Sequence, residues 1–202
     1  MTTSFIAAEL SAHAPFTAFG TLTGIVIMAA FIRFQITGEV SAALFWIFHP
    51  LHVLLSALVT TAMYRRHSRS DIGRVFLIGY AGSIGIATLS DSLIPFAGEW
   101  LLNLPNRGVH LGFIEKWWLV NPLAFAGIGL GFVVSHTQIP HAGHVLLSTW
   151  ASLFHIMMSL GSSIDVVTTI LIAVFLFLAV WVPCCTSDII FPLMWAKKEE
   201  AA

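Results

Sequence analysis

Charge is what this chain has least of. Asp, Glu, Lys and Arg make up 9% of its 202 residues, where a soluble domain carries about 25%. No unusually large core explains such a deficit, so water is excluded as the solvent for most of the surface. Hydrophobic residues are 57% of the chain and mean hydropathy is +0.89, which makes lipid the expected solvent. The length suits one bundle of helices with no soluble appendage. Net charge is −1, so nothing suggests a general attraction to nucleic acid. Cysteine is scarce as well: Cys184 and Cys185 are the only two. Neighbours in sequence are strained as a bridge, so the pair does not report a redox compartment. Met1–Phe16 has neither a basic n-region nor a clear cleavage site, and is not read as a signal peptide.

Long apolar runs are what the chain does have. A membrane crossing needs about 20 mostly apolar residues, and six stretches qualify, near 16–36, 40–64, 73–96, 119–138, 142–163 and 166–195. The stretch 99–118 is too polar to cross, and Trp117-Trp118 within it reads as an aromatic belt at the membrane surface. Arg65, Arg66, Arg69 and Arg74 lie between the second and third stretches, and Lys197 and Lys198 lie at the C-terminus. With six crossings both groups fall on one side, which the excess of Lys and Arg assigns to the cytoplasm. The expected setting is a multi-pass protein of the plasma (inner) membrane with both termini cytoplasmic.

The chain also repeats itself. His49-Pro50-Leu51-His52-Val53-Leu54-Leu55-Ser56 and His141-Ala142-Gly143-His144-Val145-Leu146-Leu147-Ser148 both read HxxHVLLS. Ser90-Asp91 before Pro95 and Ser187-Asp188 before Pro192 both read SDxxxP. Matching leucines mean little between apolar helices, but His and Asp are rare in lipid. Each unit holds three crossings, an odd number, so the second copy must be inverted relative to the first, as in many secondary transporters. The expected fold is therefore an all-α integral membrane protein of six transmembrane helices in two inverted-topology three-helix repeats. Residues 1–98 form the first repeat, 99–118 an extracytoplasmic interfacial connector, and 119–202 the second repeat.

Helical spacing places His49, His52 and Ser56 on one face, and His141, His144 and Ser148 on another. Two histidines and a carboxylate are a recurring ligand set for Zn, Mn or Fe. The candidate metal ligands are accordingly His49, His52 and Asp91 toward one face, and His141, His144 and Asp188 toward the other. Ser56, Ser90, Ser148, Ser187, Cys184 and Cys185 are candidate supporting residues. Pro95 and Pro192 lack an N–H, which is expected to free the carbonyls of Asp91 and Asp188 four residues earlier. His155, His13 and His67 read as hydrogen-bonding partners between helices. Glu99, His110, Glu115 and Lys116 read either as guards of an entrance or as a solvated interface. Gly127 and Gly131, like Gly20 and Gly24, read as points of close helix packing.

These features point first to a small transporter for a divalent transition-metal cation. Proton coupling is part of that reading, because histidine must be neutral to bind metal. One alternative is a proton-coupled transporter of a small organic solute or anion. Another is a membrane-embedded metal enzyme, or a haem protein with histidine ligands from different helices. The expected partners are the bilayer, the ion or solute, and a second copy of the chain in a homodimer.

Overall fold

The computed structural model describes residues 3–68, 71–134, 138–161, 164–186 and 190–200, and among these there is no strand. In chain order the elements are α1 (Thr3–Arg33), α2 (Gly38–His67), α3 (Ile72–Thr88), a π-helical turn (Leu89–Leu93), α4 (Ile94–Leu101), α5 (Gly112–Glu115), α6 (Trp117–Gly131), α7 (Gln138–Ser159), α8 (Val166–Cys185) and α9 (Phe191–Glu200). The α3, π and α4 segments run on without a break.

Local chemistry sets the helix ends. Asp71 caps α3 by accepting the Arg74 N–H at 3.0 Å, and Asp165 caps α8 by accepting from Thr168 N–H at 2.9 Å. The Thr168 backbone bond also holds the exposed Asp165 carboxyl below its ordinary range. α1 and α4 end differently. Gln35 and Asn103 adopt φ of 52° and 53°, and the next residues reach back five positions, Ile36 to Phe31 and Leu104 to Glu99, each at 2.9 Å. This left-handed cap closes the last turn of each helix.

Among the described residues, four segments are long and apolar enough to cross a membrane: His13–Arg33, Gly38–His67, Ile72–Leu101 and Val166–Cys184. The other two stretches expected to cross fall on α6, which is apolar but 15 residues long, and on α7. The buried face of α7 carries Ser148, Thr149, Ser152, His155 and Ser159. That helix packs among α1, α2 and α8, so its polar side meets protein. The third stretch also runs further than its expected end at 96. It continues to Leu101, and Glu99, placed by the sequence in an interfacial connector, is fully buried.

The bundle buries many polar side chains beside its apolar core and is apolar outside. Phe16, Phe19, Leu22 and Val26 of α1 are exposed, as are Ile170, Val174 and Leu178 of α8. Histidines, serines and threonines of α2 and α7 share the interior with apolar side chains such as Met28, Phe45, Leu153 and Ile172. Lipid on the outside explains so apolar an outer face, with polar groups kept between the helices.

Close packing depends on glycine where α6 meets α2. A Cβ at Gly127 would collide with the Leu54 carbonyl oxygen, and one at Gly131 would stand 2.8 Å from that of Leu58. Gly20 lies equally tight against Thr149 of α7. Near one end of the bundle, Asn106 N–H donates to the Ser159 carbonyl at 3.4 Å. At the other end Arg65 donates to the carbonyls of Gly131 and Phe132, a cation placed at the C-terminus of α6.

Candidate metal centre

Asp91 is the hub of the interior. It sits in the π-helical turn and is fully buried. Its Oδ2 accepts from His49 Nδ1 at 2.9 Å and from His52 Nδ1 at 2.7 Å. Its Oδ1 accepts from the hydroxyls of Ser90 at 2.7 Å and Ser148 at 2.9 Å. Four donors on one carboxylate satisfy a charge that lipid would otherwise punish heavily.

The wide turn has a cause in Pro95. Ile94 N–H reaches Leu89, five residues back. In that register the N–H missing at Pro95 is the one owed to the Ser90 carbonyl. Ser152 of α7 fills the gap, donating its hydroxyl to the Ser90 carbonyl at 2.9 Å. Thr186 and Ile190 are in the same wide register in the second half of the chain.

With both Nδ1 atoms turned to Asp91, the two imidazoles are held in one tautomer. Their Nε2 atoms are then lone-pair donors. His52 Nε2 is buried and has no hydrogen-bond partner. The His144 ring, from the second half of the chain, lies 5.1 Å from the His52 ring. One ligand atom each from His52, His144 and Cys184 lies within 4.8 Å of the others, and all three residues are buried. A carboxylate behind a histidine whose far nitrogen is bare is the usual way a metal-binding imidazole is oriented.

Of the residues singled out by sequence, the structure brings together His49, His52, Asp91, Ser90, His144, Ser148 and Cys184. Ser56 is buried on the same helix as the histidines. Asp188 and Ser187 lie outside the described residues, as do the side chains of His141 and Cys185. Separate clusters toward opposite faces were expected, yet His52 and His144 of the two halves stand side by side. The reason is that α2 and α7 are packed together at the centre of the bundle.

A second buried carboxylate was not foreseen. Glu99 Oε1 accepts from His155 Nδ1 at 2.7 Å, and Glu99 Oε2 accepts from Gly108 N–H at 3.3 Å. His155 Nε2 meets the Ser92 hydroxyl at 3.3 Å, and Ser92 Oγ accepts from His110 N–H at 3.0 Å. The signal was periodic. His144, Ser148, Ser152 and His155 recur on one face of α7, and Ser92 and Glu99 are seven residues apart.

Compared with known proteins, the chain matches no family model, and no curated protein or solved structure is similar to it.

Proposed function

We propose that this chain is a small membrane transporter for a divalent transition-metal cation, Zn2+ foremost, bound midway along the bundle by His52, His144 and Cys184. The observation that carries the reading is the cluster of His52, His144 and Cys184, whose ligand atoms lie within 4.8 Å of one another, with His52 Nε2 buried and without a hydrogen-bond partner. A tetrahedral ion about 2.0 Å from nitrogen and about 2.3 Å from sulfur holds two nitrogens and one sulfur roughly 3.3–3.5 Å apart. Ligand atoms within 4.8 Å of one another reach that spacing by small side-chain movements.

Ligand chemistry selects among metals. A thiolate with two imidazoles favours Zn2+ over Mn2+, and three protein ligands leave a fourth position through which an ion enters and leaves. Charge agrees with this. The Cys184 thiolate and the Asp91 carboxylate together offset a divalent ion in a setting where a net charge is expensive.

In this reading the chain crosses the membrane six times as two inverted three-helix units. Supporting it are the repeated motifs, the wide helical register beside both prolines, and a site shared between the halves. Ions would reach such a site from alternate sides. The arginine-rich loop and both termini are placed in the cytoplasm of a plasma-membrane protein.

The test is metal analysis of protein purified without chelators, with Zn2+ uptake into proteoliposomes. Wild type is expected to hold about one Zn2+ per site and to take it up. Cys184→Ser and His52→Ala should lose both properties. Metal-free wild type after Zn2+ exposure, or variants that load like wild type, would refute the assignment.

A further inference from the structure

The network around Glu99 includes none of His52, His144 and Cys184. It lies along α7 from His144 to His155, eleven residues or about 16 Å of helix away. We propose that Glu99 and His155 form a second ligand site of the transporter, and that its ligand is the proton exchanged for the metal. The proposal rests on the metal-transport reading above and names the counter-ion site that such transport would use.

The hydrogen bonds define the chemistry. The Glu99 carboxylate engages His155 Nδ1–H, which leaves Nε2 to accept the Ser92 hydroxyl. In this state the pair is a buried anion. One added proton at His155 Nε2 makes an imidazolium beside the carboxylate, and the buried charge sums to zero. The Ser92 hydroxyl then rotates from donor to acceptor, and no bond other than hydrogen bonds has to break. Glu99 and His155 are 0% and 1% exposed, so the proton needs a route.

His110 supplies one. Its ring centroid lies 5.4 Å from that of His155, its Nδ1 pairs with Glu115 at 3.1 Å, and its side chain is 31% exposed. Other titratable groups stand further off. His49 of α2 is separated from His155 by the Phe45 ring, which stacks on His49 and meets His155 edge-on. Lys116 lies over Trp46, and Arg107 in the adjoining loop is exposed. Polar groups thus run from the partly exposed His110 to the His155–Glu99 pair and Ser92, with Phe45 standing between them and His49.

The experiment measures Zn2+ occupancy, Zn2+ uptake and counterflow of protons in proteoliposomes, for wild type and for Glu99→Gln, His155→Gln and Ser92→Ala. Glu99→Gln and His155→Gln should keep Zn2+ occupancy at the wild-type level while metal-driven proton flux falls by about a hundredfold, the scale of a lost proton-transfer group. Ser92→Ala, the mildest change, should slow proton flux in the same direction with occupancy intact. Variants that load zinc and retain wild-type proton-to-metal ratios would overturn the proposal. Loss of zinc loading in all three would do so too, because the network would then be a support for the metal site. Wild type that binds no zinc would instead sink the reading on which this proposal stands.

Discussion

At the scale of single residues, Asp91 decides how the interior is organised. It touches both histidines through one oxygen, so Asp91→Asn either keeps an uncharged oxygen on them and turns its N–H2 on the Ser90 and Ser148 hydroxyls, or flips and turns N–H2 on the imidazoles; in both cases the charged acceptor is lost. The His52 tautomer is then no longer imposed. Loss of such an orienting carboxylate costs 10- to 100-fold in metal affinity, and Zn2+ competition with a fluorescent chelator should read a drop of about that size. Ser152→Ala is a different kind of change, because it strands the Ser90 carbonyl inside the bundle. An unsatisfied buried acceptor costs about 1–3 kcal/mol, which thermal unfolding in detergent should register with metal present or absent. His52 and Asp91 were legible in the sequence, because such residues are costly in lipid and both recur in the second half. Cys184 was not ranked with them, since the matching turn of the first half has no thiol. Glu99 and His155 each occur once, so repetition gave no reason to set them apart.

At the scale of elements, the all-helical fold and four of the six expected crossings were legible from apolar length, and the special turn was not. Pro95 marks a disturbance, but the letters alone assign the freed carbonyl to Asp91 in an α-register. Only the hydrogen bond from Ile94 to Leu89 moves it to Ser90. Close packing was easier to read, since Gly127 and Gly131 stand one turn apart on a helix with little other polarity. Replacing Gly131 by Leu forces side-chain atoms into the Leu58 carbonyl and the Thr61 side chain. Overpacking of this sort costs about 1–3 kcal/mol, and because the clash is with backbone the upper end is expected in a detergent melting assay. The cap of α8 gives a pH-dependent case. Thr168 N–H depresses the Asp165 carboxyl, so its stabilising effect is present above the ordinary carboxylate range and fades as pH falls through the depressed value. Asp165→Ala should melt earlier than wild type at pH 7, and the gap should close in strong acid.

At the scale of the whole molecule, the apolar outer face and the polar groups buried between helices link fold to setting. A bundle with serines, threonines and four fully buried histidines at its centre cannot be driven together by the hydrophobic effect alone; it is held by interhelical hydrogen bonds and glycine contacts, as lipid-embedded helices are. The ends of the bundle differ in charge. Arg65 and Arg66 stand where α2 meets the end of α6, whereas Arg107 lies in the loop that meets Ser159 at the opposite end. The arginine-rich end belongs in the cytoplasm if the usual bias in loop charge applies. Single cysteines at positions 66 and 107, in a chain whose Cys184 and Cys185 are replaced by Ser, test this directly with a membrane-impermeant maleimide. Arg107→Cys should react in intact cells and Arg66→Cys only after permeabilisation. Reaction of both from the same side would mean that the chain between them does not span the bilayer, and the idea of two faces exchanging an ion through His52, His144 and Cys184 would lose its geometry.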